Sequence, residues 1–450
     1  MLNLFAYAWF ALRGGFIFVL SLLLVGRMPM SPRDHTFDIE CLAERYTARA
    51  HILTDSIERN FFNRHIPMLN NNSANRFTPS GCWDVAALLT MYTQMARLDG
   101  RATGNPFVAR ADRVLYMLGF YGHHELFNGF GIYTGSWSML RYNISDYYIY
   151  YDDNMWIGRD LVKLYNLTGT QRYLDHAIAI ADFLIQEAWQ ELCSDEFEER
   201  FGWGPGGPIG GFYWRDDRVS LHMCSNGPAV QYFVMLANAL GQDDPRSKVY
   251  MEYAIQSYRF LRAMERPNGV FFDLINLRRD AEGNVIGIGN PWGPSWSYNS
   301  GTPISAAIEL YQVTGEQHFL DDAIRWGRAA HAYFPRAVEG TDVLTFVDLP
   351  WFREILLMGY TDLYPHYPGA RAFIETFEAA INFGYEHHRL RGVLGFHRNI
   401  IARNWVYGFY TDRDFDPTVT ATALEQIPHA GIYAALAMFY REPALCPCHQ

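Results

Sequence analysis

Two adjacent aspartates, Asp152 and Asp153, lie in a strongly aromatic stretch of the chain, YYIYYDDNMWIG at residues 147–158. Neighbouring carboxylates repel each other, and burial among aromatic rings makes the charged form of each less favourable. Such a pair is typical of an active site in which one carboxyl stays ionised while its neighbour holds a proton. The alternative is a helix N-cap with an acidic first turn, which accounts for one acid better than for two.

The three other Asp-Asp pairs of the sequence have simpler interpretations. Asp321-Asp322 falls inside a predicted helical hairpin, and Asp243-Asp244 precedes a proline, as expected for a turn and helix cap. Asp216-Asp217 lies between two arginines, which indicates a salt-bridged surface loop. That loop lies on the same predicted face as Asp152, so a substrate contact there remains an alternative.

Composition limits the kind of substrate. The 450 residues are 49% hydrophobic and 19% charged, which is typical of a globular protein with a large core. A net charge of −11 argues against nucleic acid as a partner and against an anionic substrate. Aromatic residues make up 16%, and tryptophan and tyrosine beside glycine in loops suit a sugar-binding cleft. The six cysteines and the His-His pairs lack the spacing of metal ligands, so we expect no metal or cofactor.

The first 30 residues differ from the rest of the chain. The segment at 5–26 is almost entirely apolar and predicts a signal peptide or a membrane anchor over residues 1–30. We therefore expect a secreted or membrane-anchored monomer with a single catalytic domain over residues 31–445. The alternative is that translation begins at Met28 or Met30 and that the protein is cytoplasmic. Most cysteines are expected to be free thiols, with one disulfide if the chain is exported.

Internal repeats organise the predicted domain. The stretch LVKLYNLTGTQRYLDHAI at 161–178 recurs as AIELYQVTGEQHFLDDAI at 307–324, shifted by 146 positions, for example from Leu164 to Leu310. A related stretch at 225–241 lies about halfway between the two. Each copy indicates a helix, a turn that ends it, and a second helix.

Helical periodicity predicts twelve helices in all. They lie near residues 38–61, 82–98, 106–120, 153–166, 171–190, 227–240, 246–265, 302–313, 317–334, 350–363, 370–388 and 421–440. Six hairpins whose alternate helices are the more apolar predict an all-α fold, an (α/α)6 barrel in which the hairpins close into a toroid. The alternative is an open α-solenoid, which is disfavoured because no terminal hairpin resembles a polar cap.

The same arrangement brings the long loops together. A long loop rich in Gly, Trp or Asn precedes the first helix of each hairpin, so the loops at 133–153, 201–217 and 289–301 are expected to form a cleft on one face. The aspartate pair begins an inner helix on that face. Two other repeats hold Tyr298-Asn299 and Cys224-Ser225 at this position, so the acids are not a requirement of the scaffold.

A helix start makes the two acids unequal. Its N-terminus stabilises negative charge, so one carboxylate can remain ionised as a nucleophile. That charge, together with burial among Tyr148, Tyr151 and Trp156, raises the pKa of the second acid, which can then act as a general acid. Adjacent helical residues are expected to hold their carboxyls about 5–5.5 Å apart, the separation typical of a retaining glycosidase.

Several short motifs resemble those of one family. YYDDNMWIG, SNG at 225–227, GVFFDLI at 269–275 and YNSG at 298–301 occur in this order on an all-helical chain and resemble glycoside hydrolase family 76. That family comprises α-1,6-mannanases and related fungal cell-wall transglycosidases with an (α/α)6 fold. The resemblance covers roughly residues 40–440, with Ser300 where the family pattern has glutamine.

The resemblance implies a role for each matching residue. Asp152 is expected to be the nucleophile and Asp153 the general acid/base of a retaining endo-α-1,6-mannanase, whose substrate is α-mannan or a manno-oligosaccharide. Positions expected near bound mannose are Asn226, Asp273, Tyr298 and Asn299. From the residues alone, the aromatic side chains that we expect to contact sugar rings are Trp83, Trp137, Trp156, Trp214, Trp296, Phe346 and Trp405.

Other functions stay open at this point. A transglycosidase would replace the attacking water with a sugar hydroxyl. A sugar epimerase on the same kind of barrel needs paired histidines in the cleft, and none is well placed in the sequence. A glycan-binding barrel would keep the tryptophans without needing two adjacent acids.

Overall fold

The structure is a computed structural model that describes residues 35–63, 66–73, 78–121, 129–137, 148–201, 206–390, 399–406 and 421–441. Over these residues it contains thirteen α-helices and nine short strands. The helices are α1 (His35–Phe61), α2 (Cys82–Asp99), α3 (Pro106–Leu118), α4 (Tyr151–Thr168), α5 (Gln171–Ala188), α6 (Ser194–Phe201), α7 (Met223–Leu240), α8 (Pro245–Ala263), α9 (Tyr298–Thr314), α10 (Gln317–Tyr333), α11 (Pro350–Leu363), α12 (Arg371–His387) and α13 (Ala423–Arg441). The strands are β1 (Trp189–Leu192), β2 (Ile209–Phe212), β3 (Ser220–His222), β4 (Leu274–Arg279), β5 (Val285–Ile288), β6 (Pro335–Ala337), β7 (Leu344–Phe346), β8 (Arg389–Leu390) and β9 (Ile400–Ile401).

Six helices form the inner wall of a closed ring. Helices α2, α4, α7, α9, α11 and α13 contact one another in this order, and α13 packs back against α2. They are buried on nearly all sides; α7, for example, buries every residue from Ser225 to Ala237. An outer helix packs against each of them, and α5 shows the pattern, burying one stripe of residues at helical spacing. The predicted (α/α)6 barrel is confirmed, and the contact between α13 and α2 excludes the open solenoid.

All twelve predicted helices are present close to their predicted bounds. The sequence did not indicate α6, an eight-residue helix within a long loop. The sixth pair of the ring also differs from a simple hairpin, because it joins the two ends of the described chain. Its inner member is α13 and its outer member is α1, which pack against each other.

The predicted Thr-Gly turns lie at the opposite end from the long loops. Gly169 ends α4 with φ +67° and Gly315 ends α9 with φ +73°, both in the left-handed region. Glycine adopts this conformation without the steric cost that a Cβ would add, so the helix stops sharply there. The face on which α4 and α9 begin therefore carries the long loops.

Side-chain amides hold the long loops over the starts of the inner helices. The loops carry four small antiparallel sheets, β1-β2, β3-β4-β5, β6-β7 and β8-β9. The fourth residue of three inner helices is an amide that accepts from the backbone N–H and donates to the C=O of one loop residue. These pairs are Asn154 with Tyr133, Asn226 with Phe212, and Gln426 with Ile401.

Two glycines let inner helices touch backbone to backbone. A Cβ on Gly301 would lie 2.5 Å from the carbonyl oxygen of Ile355, and one on Gly359 would lie 2.7 Å from that of Gly301. Because no larger residue fits, α9 and α11 approach more closely than ordinary side chains allow. The glycine that ends the YNSG motif therefore serves packing of the ring.

The predicted signal peptide or anchor at residues 1–30 lies outside the described residues. Among the helices that are described, none combines the length and hydrophobicity needed to cross a membrane. Cys82, Cys193 and Cys224 are free thiols, and the side chains of the other cysteines lie outside the described part. Export and the monomeric state stay predictions.

Candidate active site

A cavity of about 370 Å³ opens at the face of the ring where the inner helices begin. Residues at the starts of α2, α4, α7, α9 and α11 line it, together with residues from the long loops. The lining consists of Gly81, Cys82, Trp83, Gly135, Tyr150, Asp152, Asp153, Trp156, Trp214, His222, Cys224, Asp273, Tyr298, Phe352 and Ile355. Aromatic faces beside a few convergent carboxyls suit a polyhydroxylated ligand.

Asp152 is the second residue of α4, in the position that the helix dipole favours for a negative charge. Its side chain is only 7% exposed. Burial raises the pKa of Asp152 to about 6, while hydrogen bonds from the Cys224 thiol, the helix backbone and the Trp214 indole lower it. The carboxyl of Asp152 is therefore largely ionised at neutral pH.

Asp153, the next residue, is the harder of the two to ionise. It is 5% exposed, and burial raises its pKa well above the usual range. The negative charges of Asp152 and Asp84 raise this pKa further. Asp84 lies in the first turn of α2, and burial raises its own pKa to about 6. The adjacent carboxyls are thus unequal in the sense needed for one ionised and one protonated acid.

The aromatic neighbours of the pair differ from those expected. The Tyr151 hydroxyl donates to the backbone of Glu187 on the outer helix α5, and Tyr148 is half exposed. Neither lines the cavity, whereas Tyr150 does. At α4 the first residue, Tyr151, thus points toward the outer helix, while Tyr150 before it lines the cavity beside the acids.

Two free thiols flank the acids. Cys82 begins α2 and Cys224 is the second residue of α7, and both line the cavity. Burial and the nearby aspartate charges raise the pKa of each thiol well above its usual range, so both stay protonated. A protonated thiol is a potential donor, and the proximity of the Cys224 thiol lowers the pKa of Asp152.

Trp214 forms one wall of the cavity and is held from two sides. Its ring stacks on the imidazole of His222, with centroids 4.7 Å apart and planes at 19°, and meets the edge of Tyr150 at 5.2 Å. The Ser220 hydroxyl lies 2.8 Å from Nε2 of His222. Burial lowers the pKa of His222 to about 4, so this support is neutral at physiological pH.

Asp273 joins two walls of the cavity. Its carboxylate oxygen Oδ1 accepts from the Tyr298 hydroxyl and from Nδ2 of Asn299, each at 3.0 Å, at the start of α9. Its backbone carbonyl accepts from the N–H of Met223, the first residue of α7, at 2.8 Å. A single loop residue therefore fixes the spacing between two inner-helix starts.

The model of glycosyl hydrolase family 76 matches residues 45–348, about two thirds of the sequence. The chain belongs to glycosyl hydrolase family 76. Among curated proteins, no sufficiently similar sequence was found.

Solved structures share the family 76 barrel at low sequence identity. A family 76 mannosidase from Bacteroides thetaiotaomicron is 22% identical, with a TM-score of 0.69 over 88% of this chain and 99% of that one. An α-1,6-mannanase from Salegentibacter sp. HEL1_6 is 20% identical, with a TM-score of 0.63 and coverages of 88% and 99%. That structure is an inactive variant, with two consecutive aspartates changed to asparagine, in complex with α-1,6-mannotriose.

The same fold also carries other chemistry. A D-mannose isomerase is 9% identical, with a TM-score of 0.56 over 88% of this chain and 98% of that one. Likeness at this level shows a shared fold alone, so function must be argued from the pocket.

Most residues predicted for the site of this family 76 chain line the pocket. Besides the aspartate pair, they are Trp83, Trp156, Trp214, Asp273 and Tyr298. Trp83 packs against Trp351 and Phe352, with ring centroids 5.3 and 5.6 Å apart. Asn299 lies just behind the lining, where it donates to Asp273.

Other predicted contacts are corrected by the structure. Asn226 is fully buried, and its amide is used by Phe212 and by the carbonyl of His222, so it positions the loop rather than a sugar. Phe346 and Trp405 are 1% and 0% exposed and pack in the core between α11 and α12, away from the pocket. Sequence alone does not show which face of an aromatic residue is covered. Trp137 and Trp296, also predicted, do not line the cavity either.

The prediction missed eight residues of the lining, among them Tyr150, His222 and Cys224, and it also missed Asp84, whose charge acts on Asp153 from outside that lining. The sequence contained a feature that could have identified Asp84, because it is an acid in the first turn of an otherwise apolar helix, next to Trp83. Cys224 and His222 precede the SNG motif and join the site only because α7 lies beside α4 in the ring.

Proposed function

We propose that this family 76 chain is an endo-acting α-1,6-mannanase that cleaves its substrate with retention of anomeric configuration. The observation that carries the proposal is the pair of unequal carboxyls, Asp152 and Asp153, at the floor of an aromatic pocket. The sugar class is supported by the neighbouring structures named as a mannosidase and an α-1,6-mannanase.

The first half of the reaction uses the two acids in different protonation states. Asp152 forms a bond from its carboxylate oxygen to the anomeric carbon, and the bond from that carbon to the glycosidic oxygen breaks. Asp153 gives its proton to the departing oxygen, which leaves as a sugar hydroxyl. The nearby Cys224 thiol and Trp214 indole lower the pKa of Asp152, which favours the ionised carboxylate for this attack.

The second half returns both residues to their starting states. Asp153, now a carboxylate, takes a proton from a water molecule whose oxygen attacks the anomeric carbon. The bond to Asp152 breaks and releases the mannosyl product with its original configuration. Two inversions at one carbon give net retention.

The rival functions fit the pocket less well. Among the described residues that line the cavity there is one histidine, His222, and it is stacked beneath Trp214 rather than paired with a second. An epimerase with paired histidines therefore lacks its acid and base. A glycan-binding barrel would gain nothing from burying two adjacent acids, which lowers stability at neutral pH.

The first test is product analysis with linear α-1,6-mannan. We expect wild type to release manno-oligosaccharides of several lengths, with the α-anomer first in proton NMR. Asp153→Asn is expected to lose about 10²–10⁴-fold in kcat/KM, as for loss of a general acid. Asp152→Asn is expected to lose on the order of 10⁶-fold, as for loss of a nucleophile. The matched control is Asp243→Asn, an exposed acid of another adjacent pair in the turn before α8, which should retain wild-type activity.

Azide separates the two roles. With an activated α-mannoside, azide should rescue Asp153→Ala and yield the α-mannosyl azide, because it attacks the mannosyl-enzyme. With Asp152→Ala it should yield the β-mannosyl azide, because it replaces the nucleophile. A first-formed β-anomer from wild type, or full activity of Asp152→Asn, contradicts the mechanism. Transfer to added sugar instead of water would identify a transglycosidase.

A further inference from the structure

A second cavity, of about 190 Å³, lies at the opposite end of the barrel, where the inner helices end. All six inner helices contribute to this basal cavity, so it lies on the axis of the ring. Its lining consists of Gln94, Arg97, Arg159, Lys163, Gln231, Ile308, Glu309, Gln312, Met358, Thr361, Asp362, Tyr364, Pro365, Ala435, Met438 and Phe439. This volume is many times the ~10–15 Å³ that one water molecule needs, so the cavity is too large to be a site for one buried water.

The deepest cation of the basal cavity has unused hydrogen-bonding capacity. Arg159 is 2% exposed, and its Nε atom has no hydrogen-bond partner in the described structure. Its terminal nitrogens lie 3.5 Å from Gln231 and 3.4 Å from Asp160, which are long contacts. The guanidinium covers the ring of Trp156 at 4.1 Å, so it separates the basal cavity from the pocket above. A buried donor without a partner is costly, and a bound ligand would relieve that cost.

Lys163 is one of only two lysines among the 450 residues, the other being the exposed Lys248. Basic positions elsewhere in the chain are arginine, so a lysine in a cavity is unusual here. Among the described residues it has electrostatic neighbours but no ion pair. The compact ammonium group offers three donors that can turn toward a ligand, unlike the fixed fork of arginine.

The charges around the basal cavity cancel. Arg97, Arg159 and Lys163 are opposed by the carboxyls of Glu309 and Asp362 in the lining and of Asp160 directly behind it. Burial raises the pKa of the nearby Glu354 well above its usual range, so this fourth carboxyl stays protonated and adds no charge. Burial and the neighbouring arginines lower the pKa of Lys163 to about 7, and burial and Asp362 raise that of Glu309 to about 7. A proton that passes between the two leaves the sum unchanged. An ion would therefore disturb this balance, whereas a neutral ligand would not.

We propose that the basal cavity is a second binding site, which takes a small neutral polyol about the size of one sugar ring. Two donors face the cavity, Arg159 Nε and the Lys163 ammonium, and so do two acceptors, the Glu309 carboxyl and the Gln231 amide. Each hydroxyl of a polyol can both donate and accept a hydrogen bond, so it can bond to either kind of group. The site is independent of cleavage chemistry, since none of its residues lines the catalytic pocket.

The two lysines make a direct experiment feasible. The full chain is labelled biosynthetically with ¹³C-lysine, which gives two side-chain signals; Lys163→Met assigns them. Titration with D-mannose or glycerol is expected to shift the Lys163 signal saturably and to leave that of Lys248 in place. Glu309→Gln should weaken mannose binding about tenfold, and Ala435→Phe, which fills the cavity, should abolish the shift. Glu316→Gln, an exposed acid elsewhere, is the matched control and should bind as wild type.

Several outcomes overturn the proposal. A Lys163 signal that neither mannose nor glycerol moves means that the cavity holds water alone. Tighter binding of inorganic phosphate or malonate than of mannose makes it an anion site. Unchanged mannose affinity in Glu309→Gln removes the assigned contact. The readout does not depend on mannan cleavage, so failure here leaves the catalytic proposal intact, and loss of mannan cleavage leaves this one intact.

Discussion

The backbone carbonyl of Trp214 accepts a hydrogen bond from the N–H of Tyr151 at 2.9 Å. Tyr151 is the first residue of α4, so one wall of the pocket is attached to the helix turn that carries both acids. The indole of the same tryptophan also lies close enough to Asp152 to lower the pKa of that carboxyl. One loop residue therefore positions both a cavity wall and the helix start that carries Asp152, so we expect a change at Trp214 to alter the environment of Asp152.

Trp214 is expected to contribute both sugar contact and control of Asp152. Trp214→Ala should lower kcat/KM for mannan by roughly 10–150-fold, mainly through KM, because about 1.5–3 kcal/mol of apolar contact is lost. Trp214→Phe keeps a ring above His222 but removes the indole N–H, so it should spare KM and lower kcat. Steady-state kinetics of the two variants separate these effects. An unchanged KM in the alanine variant would show that the ring does not contact substrate.

Asp84 is expected to set the alkaline limb of the pH profile. Its charge raises the pKa of Asp153, so Asp84→Asn should lower that pKa and deprotonate the general acid at lower pH. We expect the alkaline limb of kcat/KM to move down by about 0.5–1 pH unit, with the acid limb little changed. Asp322→Asn, a buried acid paired with Tyr258 on the outer helices, is the control. An alkaline limb that stays in place would remove Asp84 from the site's electrostatics.

Cys224 is expected to set the position of the acid limb of the pH profile of kcat/KM. The nearby thiol lowers the pKa of Asp152, which burial raises to about 6. Cys224→Ala should therefore raise the acid limb of kcat/KM by about 0.5–1 pH unit, because the nucleophile ionises later. Cys224→Ser keeps a donor of similar size and should restore the wild-type limb. Equal profiles for the alanine and serine variants would show that size, not hydrogen bonding, matters here.

Asp153 is expected to cost stability at high pH. The pKa of Asp153 in the folded protein lies above the ordinary ~3.9 of an unfolded aspartate. Its contribution to the free energy of unfolding is therefore fully present below about pH 4 and is lost as the pH rises through the folded pKa. Asparagine is neutral throughout. Asp153→Asn should therefore match wild type near pH 4 and melt on the order of 1–3 °C higher at pH 8. Calorimetry at both pH values tests this, with the exposed Asp216→Asn unchanged. A lower melting temperature at pH 8 would contradict the assigned burial cost.

Much of the fold and of the site could be predicted from patterns among residues that are close in the sequence. The repeat from Leu164 to Leu310 and the Thr-Gly turns identified the hairpins because helix spacing and helix stops are written in neighbouring residues. The position of Asp152 and Asp153 at an inner-helix start followed from the same repeat. Their inequality followed from the dipole and from mutual repulsion, which depend on sequence neighbours.

Contacts between distant segments could not be predicted in this way. Asp84 lies 69 positions before Asp153, and Cys224 lies 72 positions after Asp152; only the packing of α2 and α7 against α4 brings them to the pair. Likewise, Trp214 and Trp405 look alike in sequence, yet one forms a pocket wall and the other is buried against Phe377. Which face of an aromatic side chain is covered depends on the helices that pack beside it in the barrel.

The sequence by itself determined that the chain forms helical hairpins, that two acids open one inner helix, and that the motifs resemble those of glycosyl hydrolase family 76. These features follow from periodicity and from the chemistry of adjacent residues. Tertiary structure alone decided which carboxyls and thiols surround the pair, which aromatic rings face the pocket, and that a second polar cavity lies beneath Trp156. Burial and electrostatic interaction depend on distance in space, and a closed ring makes neighbours of residues far apart in the chain.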